Sequence, residues 1–244
     1  MITVYFSPTP NGQKISIALE EIGLPYEIVQ FELSKGDQLT PEFGKINPNH
    51  RIPAIVDSDP AFGGGPHAVF ESGAILQYLA EKSGKLLPAD PRQRSVAIQW
   101  LTWQVAGLGP MMGQAGHFIR YAREKCEYSI ARYSKEVMRL LNVLDRRLGE
   151  AQYLAGDEYS IADIAVWPWV NNVKLGGGAG VDFATEYPNA ARWHDKVGER
   201  PAVIRGIGGE LGLPPKYSRM NATLTDEEWS NLFGDNLLAA SKAD

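Results

Sequence analysis

Apolar and polar residues alternate over Ile2-Thr-Val-Tyr-Phe6, the two-residue period of a strand. A proline-bearing polar turn follows. The period then lengthens: Ile15, Ala18, Leu19 and Ile22 recur at helical spacing in a helix that begins near Gly12, and Gly23 can close it. Tyr26 to Leu33 reads as a second strand. A helix joins the two strands, so they are expected to lie parallel with a right-handed crossover. Ser34 to Asn49 is polar, with at most a helical turn over Pro41 to Lys45. Ile52 to Val56 is a third strand, Asp57 to Pro66 a Gly-rich excursion, and His67 to Phe70 a fourth strand. Ser72 opens a helix through Ala74, Ile75, Tyr78 and Leu79.

That order, βαβ then ββα, is the arrangement of a thioredoxin-like α/β domain, expected over residues 1–85. Leu86 to Arg92, with Pro88 and Pro91, reads as a linker. Beyond it the period is helical almost throughout, with stripes over Ser95 to Leu108 and Tyr128 to Leu148 and further helices over Ser160 to Val173 and Pro188 to Glu199. The expectation is an all-helical domain over 93–205. Residues 206–244 form a tail with one short helix. It starts at a capping box, Thr225-Asp-Glu-Glu228, and would dock through Trp229, Leu232 and Phe233.

Composition narrows the class. The 244 residues are 44% hydrophobic and 22% charged, as in ordinary globular proteins, and the net charge of -5 comes with no basic run, so a nucleic-acid partner is not expected. No apolar stretch approaches the ~20 residues of a membrane span. The N-terminus has no basic and long apolar region of a signal peptide, and one cysteine, Cys126, fits a reducing compartment. The expected location is therefore cytoplasmic. His50, His67, His117 and His194 share no ligand spacing, so no metal is expected.

The candidate chemistry lies in Ser7-Pro-Thr-Pro-Asn-Gly12, between the first strand and the first helix. Redox proteins of thioredoxin type keep a Cys-x-x-Cys there. This chain has hydroxyls, prolines and an asparagine instead, so sulfur chemistry at this point needs a thiol carried in by a ligand.

Five segments carry a resemblance: Tyr5-Phe-Ser-Pro-Thr-Pro-Asn-Gly12, Asn47-Pro-Asn-His-Arg-Ile-Pro-Ala-Ile-Val56, Phe70-Glu-Ser-Gly-Ala-Ile-Leu76, Gln99-Trp-Leu-Thr-Trp-Gln104 with Gly107-Leu-Gly-Pro-Met111, and Tyr159-Ser-Ile-Ala-Asp-Ile-Ala-Val-Trp-Pro-Trp169. Over roughly residues 1 to 205 the chain resembles the cytosolic glutathione S-transferase family, in particular its bacterial Nu-class and Ure2-like disulfide-bond oxidoreductases. The resemblance implies a homodimer that binds glutathione as co-substrate, without a metal, and uses two glutathiones to reduce small disulfides. Organic hydroperoxide reduction would use the same thiolate. The alternatives are a conventional transferase that conjugates electrophiles, with an apolar cleft at Met111, Met112 and Phe118, and a non-catalytic Ure2-like regulatory or scaffold protein.

The same resemblance assigns roles. Thr9 and Asn11 would activate the thiol, with Ser7 as the competing hydroxyl; donors at a helix N-terminus favour a thiolate. Ile52, before a cis Pro53, would hold the cysteinyl part of glutathione with its backbone. Glu71 and Ser72, read as a helix cap, would take the γ-glutamyl ammonium and carboxylate. Asn11, Gln38 and the pair His50-Arg51 would complete the first glutathione site, and Arg132 would hold the second glutathione. Ser160-x-x-Asp163 reads as a structural capping box, and Cys126 as incidental.

Overall fold

The computed structural model describes residues 1–173, 182–212 and 224–242. They form two units: Met1–Ser83 with the described residues from Arg205 on, and Gly84–Ile204.

The first unit is a four-stranded sheet of order β2-β1-β3-β4. β1 (Ile2–Phe6) pairs parallel with β2 (Tyr26–Gln30), and antiparallel with β3 (Ala54–Asp57), which pairs antiparallel with β4 (His67–Phe70). Alternation along β1 buries Ile2, Val4 and Phe6 and leaves Thr3 and Tyr5 half-buried. α1 (Pro10–Ile22) and α3 (Ser72–Ser83) pack on each other and close the core with Ile15, Leu19, Ile75 and Leu79. On the other side Tyr5, Phe31 and Phe43 form an aromatic cluster with ring centroids 4.9–5.7 Å apart.

β2 ends three residues earlier than its apolar pattern suggests. Leu33–Lys35 and Asp37–Leu39 fold into 3₁₀ turns hinged on Gly36, whose φ of 82° is left-handed. A short helix, α2 (Pro41–Gly44), follows.

The second unit is helical. α4 (Pro91–Trp103) is capped by Asp90. It continues through a π-helical turn (Gln104–Leu108), α5 (Gly109–Gly116) and a second π-helical turn (His117–Tyr121). α6 (Glu127–Glu150) buries Val137, Leu140, Leu141, Leu144 and Leu148. α7 (Ile161–Asn172) is buried on nearly every side and starts at the Ser160–Asp163 capping box. Asp163 also accepts from Leu154 N–H (3.0 Å) and Trp193 Nε1 (2.9 Å). Burial raises its carboxyl to about 6 against these hydrogen bonds, which lower it. α8 (Phe183–Glu186) and α9 (Pro188–Gly198) complete the unit.

α10 (Pro201–Ile207) returns the chain to the first unit. There Ser16 Oγ donates to Gly206 O at 2.6 Å. A Cβ on residue 206 would stand 2.8 Å from the Ile17 backbone, so this approach requires glycine. Of the tail expected over 206–244, residues 213–223 and 243–244 lie outside the described residues. The described part holds two short helices, not one: α11 (Asp226–Phe233) and α12 (Asp235–Ala240). Gly234 splits them at φ -118° and ψ -149°, outside helical geometry. Of the expected docking trio, Trp229 and Leu232 are half-buried and Phe233 is exposed, while Asn231, which was not among them, is 5% exposed and inserts into the 33–38 loop. Its Nδ2 donates to Ser34 O (2.8 Å) and its backbone O accepts from Gln38 Nε2 (3.0 Å).

Candidate functional site

β1 delivers the chain into the loop Ser7–Thr9, and α1 starts directly after it. Thr9 N–H donates to Ser7 O at 2.7 Å, making a tight turn. A Cβ at residue 12 would come within 2.1 Å of Ser7 O, so Gly12 is dictated by that turn. Thr9 is the N-cap of α1: its Oγ1 accepts the Gly12 N–H at 3.2 Å and its carbonyl accepts from Gln13 N–H. Pro10 fills the first helical position, where an N–H would have no helical partner. The Thr9 hydroxyl thus accepts from the helix and has its own hydrogen to donate outward. Thr9 and Asn11 are half-buried at the positive end of a 13-residue helix, whereas Ser7 is 9% exposed.

The Ile52–Pro53 peptide bond is cis, immediately before β3. β3 is fixed at its far end by Asp57, which is fully buried. Asp57 Oδ2 accepts from Tyr78 Oη (2.6 Å) and pairs with Lys82 (2.8 Å), so β3 is tied to α3.

Ser72 is not the N-cap expected for it. It is the first helical residue of α3, and the preceding carbonyl, Glu71 O, accepts the Ile75 N–H at 2.9 Å. Glu71 sits at φ 68°, a left-handed backbone uncommon for a non-glycine residue, and its side chain is exposed. Glu71 Oε1 accepts from Asn49 Nδ2 at 3.3 Å. The Ser72 hydroxyl is committed differently from a cap: it accepts from Lys14 Nζ at 3.1 Å. Lys14 projects from α1 and is 1% exposed. Burial brings its amine down to about 7, opposed by the Glu71 charge.

Gln38 and His50 are interior. Gln38 Nε2 donates to Leu33 O (3.3 Å) and to Asn231 O, while its Oε1 is buried with no hydrogen-bond partner. His50 Nδ1 donates to Gln38 O at 2.8 Å, since a carbonyl can only accept. Arg51 is exposed and its carbonyl accepts from Asn47 Nδ2 at 2.6 Å. Thr9, Asn11, Gln38, His50, Ile52, Pro53, Glu71 and Ser72 therefore all belong to the first unit. Arg132 belongs to the second, exposed on α6 and 3.8 Å from Glu136. Met112 is buried in α5, and Phe118 stacks on Tyr133 with centroids 5.5 Å apart. Cys126 is the N-cap residue of α6, 3.0 Å from Ser129 Oγ, which lowers its thiol below the ordinary range.

Lys14 and Asn231 were not among the residues expected from sequence. Lys14 had a local signal, because it stands in register with Ala18 and Ile22 on the inward face of α1. Asn231 had none.

Among the described residues no group of His, Cys, Asp and Glu could hold a metal ion, and no helix is long and apolar enough to cross a membrane. Residues 1–81 match the family described as Glutathione S-transferase, N-terminal domain, and residues 127–196 match Glutathione S-transferase, C-terminal domain. The chain is 51% identical over 207 residues to the disulfide-bond oxidoreductase YfcG of Escherichia coli, covering 85% of this chain and 94% of that one. A glutathione transferase from Burkholderia graminis, solved with two glutathione molecules per subunit, superposes with a TM-score of 0.80 at 47% identity, over 84% of this chain and 86% of that chain. One from Pseudomonas putida, solved with a glutathione disulfide per subunit, gives a TM-score of 0.78 at 46% identity, over 84% and 90%.

Proposed function

Because the chain belongs to the glutathione S-transferase family, we propose that it is a disulfide-bond reductase that takes both of its sulfurs from glutathione. The observation that carries this reading is the active loop. A hydroxyl and an amide stand at the N-terminus of α1, and the chain's one cysteine is at the cap of α6 in the other unit. Relatives named or solved as disulfide-bond oxidoreductases, or with two glutathiones or glutathione disulfide bound, support it.

One glutathione lies along the first unit. Its γ-glutamyl ammonium meets Glu71 and its carboxylate meets Ser72. The Ile52 backbone pairs with its cysteinyl part, and Thr9 and Asn11 donate to its sulfur. Gln38 and His50 act from beneath, fixing the loop that leads to Ile52 and Pro53. The bound thiolate attacks one sulfur of a small disulfide, forming a mixed disulfide and releasing one thiolate that takes up a proton. The thiolate of a second glutathione, with its carboxylate on Arg132, attacks the glutathione sulfur of that mixed disulfide. The second substrate thiolate leaves, and glutathione disulfide is the product. Two thiols are oxidised and one disulfide is reduced. The same bound thiolate can reduce an organic hydroperoxide.

The protein acts in the cytoplasm as a homodimer. A groove of about 630 Å³ on α4 and the π-helical turn after it, lined by Ile98, Trp103 and Ala106, and the exposed Phe62 and Phe70 of the first unit supply apolar surface for a second copy. The test of the mechanism is Cys126→Ala. It should retain disulfide reductase activity and form one glutathione disulfide per disulfide reduced. Loss of more than about tenfold, ~1.4 kcal/mol of transition-state stabilisation, would move the chemistry to a protein thiol.

A further inference from the structure

The glutathione site has a buried cation behind it. Lys14 Nζ reaches Ser72 Oγ at 3.1 Å from the interior side, and the lysine is 1% exposed. An ammonium only donates hydrogen bonds. When Lys14 is charged, the Ser72 oxygen must accept from it, and the Ser72 hydrogen is turned away from Lys14. When Lys14 is neutral its lone pair can accept, and the Ser72 hydrogen can turn inward. The charge on Lys14 therefore decides which way the hydroxyl donates.

We propose that Lys14 is a positioning residue of the glutathione site, which aims the Ser72 hydroxyl at the γ-glutamyl carboxylate and takes up a proton when that carboxylate binds. The proposal rests on the reading above that Ser72 receives this carboxylate. The two charges of the γ-glutamyl end then meet a matched pair: its ammonium faces Glu71, and its carboxylate faces Lys14 through one hydroxyl.

The electrostatics agree. Burial disfavours the ammonium and brings Lys14 down to about 7, while Glu71 pulls it the other way. In the empty site Lys14 is thus partly neutral near neutral pH. Glu20 on α1 itself pairs with Arg205, and Lys82 of α3, which packs on α1, pairs with Asp57. A bound carboxylate one hydroxyl away favours the charged lysine. The ligand ammonium works against it, but from beyond the Glu71 carboxylate, so the nearer charge prevails. Binding therefore draws in a proton, and affinity weakens as pH rises past the empty-site value.

The experiment uses S-methylglutathione, whose sulfur carries no proton, in titration calorimetry with buffers of different ionisation enthalpy between about pH 6 and pH 8.5. The wild-type protein should take up a fraction of a proton per ligand near pH 7 to 8, with affinity falling by up to about tenfold per pH unit above that. Lys14→Met should bind about tenfold more weakly at the low end, from loss of a charge-assisted contact, with no proton uptake and a flat pH profile. Lys14→Arg, charged throughout, should bind without uptake.

Lys14→Met with wild-type affinity and wild-type uptake overturns the proposal. So does wild-type binding with no proton uptake, a result that needs no variant to fold. Ser72→Ala separates the two layers of argument. If it binds as tightly as the wild type, the assignment of the carboxylate to Ser72 fails. If it binds more weakly while Lys14→Met does not, that assignment stands and the role of Lys14 is wrong.

Discussion

Thr9→Ala removes one oxygen that serves two purposes, and the two are separable. The first is the cap. Thr9 Oγ1 accepts the Gly12 N–H at 3.2 Å, and loss of such a cap costs about 1 kcal/mol. In a protein of this size that lowers the melting temperature by roughly 2–4 °C. The second is the hydrogen that, in the proposed mechanism, the hydroxyl presents to the glutathione sulfur. A hydrogen bond to a charged group contributes about 1.5–3 kcal/mol, and one pKa unit corresponds to about 1.4 kcal/mol. Removing it should raise the thiol pKa of bound glutathione by about 1–2 units. A raised pKa means less thiolate at every pH below it, so kcat/KM near pH 7 should fall by about 10- to 100-fold. The loss should shrink as pH climbs through the new pKa, because thiolate is then restored. Glutathione affinity, which the proposed mechanism assigns to Glu71, Ser72 and Ile52, should change little. The assay is thiolate absorbance near 240 nm on the glutathione-loaded enzyme across pH, alongside pH–rate profiles and melting curves. Thr9→Ser keeps both the acceptor and the donor and should behave as wild type. An unchanged bound-thiol pKa in Thr9→Ala, together with a raised one in Ser7→Ala, would refute the assignment and hand the role to Ser7.

Three further outcomes are expected. Asn231→Ala deletes the bond to Ser34 O, weakening tail docking by about 1–3 kcal/mol, and also the bond within the tail that Asn231 Oδ1 accepts from Asn236 Nδ2 (2.8 Å); helices of eight and six residues do not persist alone. Proteolysis should then cut after Gly206 much faster and hydrogen exchange in the 33–38 loop should rise, and an unchanged digestion pattern would count against the docking. In the ligand-free protein, folded Lys14 loses its proton near 7 while the unfolded chain keeps it to about 10.5. The unfolded state binds more protons across that window, so the lysine's penalty is full below pH 7 and fades as pH rises; urea midpoints of wild type relative to Lys14→Met should climb from pH 7 to 10, and a constant difference would contradict this. Arg132→Ala should cut disulfide reduction about tenfold while sparing the binding of one glutathione and the melting temperature, because its exposed contact with Glu136 at 3.8 Å adds little stability; equal loss of both functions would show that Arg132 is structural.

How far the sequence reached depended on the range of the interaction that does the work. The alternation of β1 and the stripe on α6 from Val137 to Leu148 were legible because burial is the quantity a hydrophobic period records, whereas the start of the α6 stripe is not buried, with Tyr128 80% exposed. Thr9 was singled out as a hydroxyl at the start of α1, but the helix begins at Pro10, two residues before the expected Gly12, and makes Thr9 its cap. The Ser160–Asp163 box was legible because its partners are three residues apart. The π-helical turns at Gln104–Leu108 and His117–Tyr121 were not, since a slip in the hydrogen-bond ladder leaves the apolar spacing almost unchanged. The early end of β2 was hidden in the same way, because Leu33 fits a strand and a 3₁₀ turn equally well.

The wiring behind the site depends on residues far apart in the chain. Lys14 and Ser72 are 58 positions apart, and Asn231 lies 197 from Ser34 and 193 from Gln38. No spacing rule couples such pairs. A lysine on the buried face of α1 could have been noticed, but lysines on helices ordinarily keep their ammonium in water. Only the fold shows that this one is capped by a serine hydroxyl and not by solvent. The same holds for Gln38, whose residue type suits a ligand contact but whose amide is claimed by the backbone of α11. Residue type therefore marked a candidate loop, Ser7 to Gly12. The partners that tune the proposed site, a cation behind Ser72 and a tail on the Gln38 loop, follow from how the first unit closes on itself.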